Sequence, residues 1–226
     1  MAADQANIAK KKQRIMEEGF RLFAKRGIEL VKMQEIADIC HTQRGTVYRY
    51  FPTKLDLAVA ISANVWGNFI QWNNDRVKAE ALTAAQRYEF FVDGFLLLYR
   101  EHRDMLRFNQ FFNVFVANEQ VSAEQMEPFA KVIGVLERRF HDAYELAKQD
   151  GALRTDIPEN EMFSTTLHLM LAAVTRYAVG LIYQGGTDPE KELTALKEML
   201  MRRYVTEGKT GTAAVETDAA KDAGTG

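Results

Sequence analysis

A run of polar and small side chains over 43–49 is the first group in this sequence that could do chemistry. It brings guanidinium, amide and hydroxyl groups together in one short segment, carried by Gln43, Arg44, Thr46, Tyr48 and Arg49. Arginine donates a pair of hydrogen bonds to guanine, and glutamine forms a similar pair with adenine. If the segment is an outward-facing helix, these side chains suit contact with base-pair edges and phosphates.

The surrounding elements place this run on the second helix of a helix-turn-helix. Apolar spacing predicts a helix over 7–26, a short helix over 33–39 and another over 43–49, with a tight turn between the two short ones. Val47, the one plainly apolar residue of the run, is predicted to anchor it inwards. In such a unit the second helix enters the major groove of DNA.

A longer helix is predicted to follow directly, over 54–73. Thr53 and Asp56 have the spacing of a capping box at its start, and Lys54 takes its first position. A helix N-terminus offers free amides and positive potential to an anion. We therefore expect Lys54 to contact a phosphate.

The rest of the chain is also predicted to be helical, so the expected fold class is all-α. Only 4 prolines occur in 226 residues, and no alternating strand pattern bounded by turns is present. The further helices are predicted over about 83–101, 104–119, 122–149, 159–184 and 189–206. The small, polar tail 208–226 is predicted to be disordered, because it holds too little apolar surface to form a core.

Composition excludes disordered, collagenous and disulfide-rich classes, since 47% of residues are apolar and 27% are charged. The single cysteine, Cys40, has no internal partner, and the N-terminus lacks the apolar core of a signal peptide. A cytoplasmic protein without membrane contact is therefore expected. Residues 1–60 carry 11 Lys and Arg against 7 Asp and Glu, so this part is the one suited to a polyanion.

Aromatic residues in the second half of the chain predict a cavity for a hydrophobic or aromatic ligand. Segment 105–116 is dense in phenylalanine, and ligand pockets are mostly apolar with a few polar groups. The candidate ligand-binding residues are Phe108, Phe112, Phe115, His168, Arg176 and Tyr177. For any single phenylalanine, and for His168, a plain core position is an open alternative.

Arg176 is the one formal charge of the apolar part of predicted helix 159–184, and a buried charge needs a partner. That partner could be an anionic ligand or a carboxylate across a subunit interface, or Arg176 could lie at the edge of a bundle. The same helix carries two apolar stripes, one of which includes Leu169 and Ala172. The final predicted helix offers it a partner stripe of Leu193, Leu196, Leu200 and Tyr204. These two helices from each of two chains would form a four-helix bundle about a two-fold axis. One large monomeric core is the alternative.

Residues 10–60 resemble the TetR family of bacterial transcriptional repressors. The resemblance rests on Arg14-Ile15, Leu22-Phe23, Gly27, Glu35-Ile36-Ala37, the run Gly45-Thr46-Val47-Tyr48-Arg49-Tyr50-Phe51-Pro52-Thr53-Lys54, and Leu57. It implies a homodimer with a three-helix DNA-binding domain over 1–53 and a larger helical domain over 54–207 that binds a ligand and dimerises. Thr46, Tyr48, Arg44 and Lys54 match family positions that contact DNA; Gln43 and Arg49 are added on chemical grounds.

The function implied is that of a repressor released from a palindromic, double-stranded DNA operator by a small-molecule effector. The alternatives are a helical-bundle enzyme that uses the aromatic pocket and a ligand-independent DNA-binding protein. No H-E-x-x-H, Glu-x-x-His, G-x-S-x-G or P-loop motif is present, so neither enzyme activity nor a metal or cofactor is expected. Three departures from the family, at Val31-Lys32, His41 and Thr42-Gln43, bear on base readout rather than on the fold.

Overall fold

The computed structural model describes residues 2–76, 82–180 and 188–206, and within them the chain is all-α. The described helices are α1 Ala2–Arg26, α2 Met33–Ile39, α3 Arg44–Tyr50, α4 Lys54–Asn74, α5 Ala84–Glu101, α6 Arg103–Asn118, α7 Ala123–Asp150, α8 Glu159–Ala178 and α9 Pro189–Tyr204. The expected fold class is confirmed. The predicted tail 208–226 lies outside the described residues, and none of the described helices has the length and apolar character needed to cross a membrane.

Among the described helices, α4, α5, α7 and α9 begin at side-chain caps, close to their predicted places. At the start of α4, the Thr53 hydroxyl accepts a hydrogen bond from the Asp56 amide, and the Asp56 carboxylate accepts one from the Thr53 amide. Gly151 ends α7 with φ of 65°, a conformation that glycine adopts without strain. The helix predicted to reach 184 is described as α8 only to Ala178, and Gly180 beyond it has φ of 80°.

The turn between α2 and α3 places His41 in the left-handed region, with φ of 52°. Glycine enters this region most readily, but histidine is found there more often than most residues. The turn is closed by a hydrogen bond from the Thr42 amide to the Ala37 carbonyl, 2.9 Å long. The departure at His41 thus leaves the helix-turn-helix geometry intact.

The start of α2 lacks a hydroxyl cap, and Glu35 supplies the missing contact. Its carboxylate accepts a hydrogen bond from the Lys32 amide, 2.9 Å long, and forms an ion pair with Arg26 at the end of α1. Both contacts favour the charged form, so they lower the pKa of Glu35. Replacement of the usual hydroxyl by Val31-Lys32 is therefore offset by a contact that joins α1 to α2.

Two clusters of buried apolar side chains share the interior. We call the first the head core; it holds the buried residues of α1, α2, α3 and the first half of α4, together with Phe108, Phe112 and Phe115 of α6. We call the second the body core; it holds buried apolar residues from α5, α7, α8, α9 and the second half of α4, together with Met105 and Leu106 of α6. Both α4 and α6 belong to both cores, so the two parts of the chain are joined by packed helices.

Gly19 allows α1 to lie close against α4, and we predict that a larger residue there destabilises the fold. A Cβ atom on Gly19 would lie 2.9 Å from Ile61 Cδ1 and 3.5 Å from Leu57 Cδ2. Gly19→Val should lower the free energy of unfolding by about 1–3 kcal/mol through overpacking. Urea denaturation measures it.

Gly45 provides the matched control, because a Cβ atom there would meet nothing within 4 Å. Gly45→Ala should leave stability unchanged or raise it by up to about 1 kcal/mol, as alanine favours the helix. Equal effects of the two substitutions would contradict the packing argument.

Candidate functional site

Helix α3 presents the predicted DNA-contacting side chains on its outer face. Gln43, Arg44 and Arg49 are exposed, whereas Thr46 and Tyr48 are half-buried. We call these five residues the recognition surface. Val47 is fully buried in the head core, as predicted, and it fixes which face of the helix turns outwards.

The two arginines of the recognition surface rest on neighbouring tyrosine rings. The Arg44 guanidinium lies 5.1 Å from the Tyr48 ring centroid, and its Nη2 donates a hydrogen bond to the Tyr48 hydroxyl. The Arg49 guanidinium lies 5.2 Å from the ring of Tyr50, and the Lys12 ammonium lies 5.7 Å from the same ring. Stacking of this kind limits the number of rotamers that each cation must give up on binding. The surface is therefore partly ordered in advance.

Lys54 has a structural role in addition to its predicted contact with phosphate. Its Nζ donates hydrogen bonds to the carbonyls of Ile28, at 3.0 Å, and Glu29, at 2.9 Å. Partial burial lowers the pKa of this ammonium group. Because an ammonium has three N–H groups, one donor is left for another acceptor. Lys54 thus ties the turn after α1 to the start of α4.

A cavity of 320 Å³ lies in the body among α4, α5 and α7. Seven aromatic side chains line it: Trp66, Phe69, Tyr88, Phe90, Phe91, Phe95 and Phe140. Its polar lining consists of Asn73, Asn74, Arg87, Arg139 and Asp142. This volume is at the lower end of the range for ligand-binding cavities, and the apolar wall with few polar groups is typical of them.

None of the six sequence-based candidates for ligand binding lines this cavity. Phe108, Phe112 and Phe115 are buried in the head core, where Phe108 packs 5.5 Å from the ring of Phe20 on α1. The phenylalanine face of α6 therefore turns towards α1 rather than towards the cavity. The residues that line the cavity are therefore the candidates for ligand binding that the structure offers in place of these three phenylalanines.

The other three candidates lie on or near the outer side of α8. His168 and Arg176 are exposed, so Arg176 needs no buried partner. The Tyr177 ring packs 6.1 Å from that of Tyr99, and its hydroxyl donates a hydrogen bond to the Glu192 carboxylate on α9. Tyr177 thus joins α8 to its neighbours.

Comparison with known proteins identifies the N-terminal part of the chain. Residues 15–61 match the family model of bacterial regulatory proteins, tetR family. We call residues 15–61 the tetR-type region. The match runs from α1 into the first half of α4 and includes the whole recognition surface.

Curated relatives of the tetR-type region are transcriptional regulators. The repressor KstR of Mycobacterium tuberculosis is 33% identical over 82 residues, which are 36% of this chain and 37% of that protein. The regulator LuxR of Vibrio harveyi is 35% identical over 68 residues, which are 30% of this chain and 33% of that protein. The chain thus spans about a third of the length of the curated relatives it matches.

Solved structures extend the likeness in fold beyond the tetR-type region. The regulator FadR from Bacillus subtilis, in complex with stearoyl-CoA, is 17% identical and has a TM-score of 0.66; the match covers 84% of this chain and 97% of that one. The ketosteroid regulator KstR2 of Mycobacterium tuberculosis is 14% identical, with a TM-score of 0.58, 87% of this chain and 95% of that one covered. At these identities the likeness concerns the fold alone.

A buried hydrogen bond joins the wall of the cavity to α6 and was not foreseen from the sequence. Trp66 Nε1 donates to Asn109 Oδ1 over 3.3 Å, and both side chains are 3% exposed. Asn109 lies between Phe108 and Phe112, whose rings belong to the head core. The bond thus links the cavity to the helix that packs against the tetR-type region.

One group of side chains in the described ranges has the spacing of metal ligands: His141, Glu145 and Glu159. The Glu159 carboxylate lies 3.1 Å from His141 Nδ1 and raises the pKa of that imidazole, while Glu145 pairs with Lys148. Each carboxylate thus has a neighbouring basic side chain, and His141 is exposed, so we assign no metal to the group.

We predict that Lys54→Ala destabilises the fold, in addition to removing the predicted contact with a phosphate. The substitution leaves the Ile28 and Glu29 carbonyls without their ammonium donor. The free energy of unfolding should fall by about 1 kcal/mol, the typical net value of such a hydrogen bond. The midpoint of urea denaturation measures the change.

Lys54→Arg is the control, because it restores a charged donor at the same place. An unchanged midpoint for Lys54→Ala would show that the two carbonyl contacts do not stabilise the native state.

Proposed function

We propose that this protein is a transcriptional regulator that binds DNA through α3 and responds to a small molecule in the body cavity. The observation that carries the proposal is the recognition surface, held outwards by buried Val47 within the tetR-type region. The curated relatives are a repressor and a regulator, which supports a role in transcription. Repression is the direction we favour.

We assign the DNA contacts to the recognition surface and Lys54. Gln43, Arg44 and Arg49 are exposed and have the groups that pair with base edges or phosphates. Thr46 and Tyr48 suit phosphate oxygens, since each presents a hydroxyl at the edge of the same face. In this assignment residues 1–53 form the DNA-binding domain and 54–207 the ligand-binding and dimerisation domain, with α4 shared between their cores.

We further propose a homodimer formed through α8 and α9. Leu169, Ala172 and Arg176 of α8 lie three and four residues apart, and all are exposed in the single chain. On α9, Ala195 and Met199 are exposed one turn apart, and Met199 is 63% exposed. This face of α9 differs from the one expected from the sequence, because Leu193, Leu200 and Tyr204 are buried in the body core. Two copies of the exposed face would form a four-helix bundle. A two-fold dimer places two copies of α3 on a palindromic operator.

The cavity supports binding rather than catalysis. Among the described residues that line it, Asp142 is the sole carboxylate, and it is exposed to solvent. Relatives of the same fold include one that was solved with a bound small molecule, FadR with stearoyl-CoA. An effector would act by binding one arrangement of α4 and α6 more tightly than another, which lowers DNA affinity by the same factor.

Recognition of DNA through α3 is tested by sequence selection and by one substitution. In vitro selection from random duplexes should enrich an inverted repeat, and affinity for it should fall steeply with salt. Arg49→Gln should weaken binding to the selected site by about 1–3 kcal/mol, as loss of a base contact does. Fluorescence anisotropy with labelled duplex measures both effects.

Arg138→Gln removes an exposed arginine of α7, outside the recognition surface, and should bind the selected site as the wild type does. Failure to enrich any sequence, or equal losses for the two variants, would count against DNA recognition through α3.

The proposed dimer is tested by the mass of the protein in solution. Met199→Glu should convert a dimer to a monomer, because it puts a charge into the proposed apolar interface. Analytical ultracentrifugation at micromolar concentration measures the mass. Val114→Glu is the matched control, since Val114 of α6 is also exposed, at 50%, and lies outside the interface. A wild-type protein that sediments as a monomer would refute the dimer.

A further inference from the structure

Arg139 is a charged residue on the apolar face of α7. It lies three residues after Leu136 and four before Ala143, both of which line the cavity with it. Its guanidinium makes one long hydrogen bond, in which Nη1 donates to the Ile70 carbonyl at 3.5 Å. The side chain is half-buried, and burial lowers the pKa of this group more than the nearby charge of Asp75 raises it. Arg139 forms no ion pair with a carboxylate of the described residues, and Asp75 is not part of the cavity lining.

A second guanidinium lines the same cavity from α5. Arg87 is half-buried, its Nε donates to the Leu82 carbonyl at 3.3 Å, and it forms no ion pair with a described carboxylate. The amide side chains of Asn73 and Asn74 on α4 complete the polar lining. The one carboxylate among the described lining residues, Asp142, is exposed to water, which screens its charge. The cavity thus has positively charged and neutral polar groups beside an aromatic wall.

A partly buried cation that forms no ion pair with a carboxylate lowers the stability of the ligand-free protein. The cost is offset when an anion binds, because arginine forms paired, charge-assisted hydrogen bonds with carboxylate, sulfonate or phosphate oxygens. The aromatic wall takes up the apolar part of the same molecule. A cavity of 320 Å³ restricts that molecule to a small one.

We propose that the effector is a small hydrophobic molecule with an anionic head group, and that Arg139 is the residue that selects the anion. The inference rests on the ligand-binding cavity of the proposed function. It names a specificity residue that lies on α7, distinct from Arg176, which is exposed on α8.

Two fluorescent dyes that differ only in an anionic group provide the test. The probes are 1-anilinonaphthalene-8-sulfonate and its neutral parent, N-phenyl-1-naphthylamine, each titrated into the full chain while fluorescence is followed. The wild type should bind the sulfonate at least tenfold more tightly than the parent. Arg139→Gln should lose that preference by weakening sulfonate binding at least tenfold, with binding of the parent changed less than twofold.

Three further variants separate charge from structure. Arg139→Lys keeps the charge but not the paired donors, and should recover part of the preference. Arg138→Gln removes the adjacent, exposed charge and should bind both dyes as the wild type does. Ala143→Phe fills the cavity and should abolish binding of both. Thermal melting of each variant verifies that it is folded.

The outcomes distinguish the inference from the function on which it rests. Equal affinity of the wild type for both dyes, or a preference that survives Arg139→Gln, would overturn the anion-selecting role and leave the cavity as a binding site. Binding of both dyes that survives Ala143→Phe in a folded protein would overturn the ligand cavity itself, and this inference with it.

Discussion

The packing of α6 against α1 is the constraint on which the rest of the structure depends. Helices α2 and α3 have 7 residues each, which is too short for either to be stable alone in water. Their buried side chains pack in the head core with those of α1 and α4, and Phe108, Phe112 and Phe115 of α6 belong to the same cluster. A helix of the body therefore supports α1 and α4, on which the position of the recognition surface depends.

This arrangement gives the cavity a physical route to α3. The Trp66 indole forms part of the cavity wall, and its hydrogen bond to buried Asn109 ties that wall to α6. Two residues further along α6, the Phe111 ring lies against Gly27, just after α1. Lys54 holds the same turn to α4. A ligand that moves Trp66 would act on side chains in direct contact with the helices that orient α3.

Local signals in the sequence predicted the helices well, because each boundary depends on a few neighbouring residues. The Thr53–Asp56 capping box was read directly from residue type and spacing. The outward face of α3 followed from Val47 as the lone apolar residue. The predictions that depended only on residues close together in the sequence were confirmed.

The cavity could not be placed in the same way. Phenylalanines at helical spacing on α6 look the same whether they face a ligand or another helix, and only the packing of α1 decides. Arg139 did leave a signal that the sequence reading missed. It falls on the stripe that includes Leu136, Phe140 and Ala143, whereas its neighbour Arg138 falls on the exposed face. A charge on an apolar stripe was the clue to the polar part of the cavity.

Native-state hydrogen exchange, followed by mass spectrometry in increasing urea, tests the shared core most directly. The account predicts that the most protected amides of α1 and α6 open together, with the same free energy and the same dependence on urea, because they belong to one packed unit. Separate opening would contradict it, with α1 exchanging at a lower free energy while α6 remains protected. That result would make the N-terminal helices an independent unit without a packed connection to the cavity.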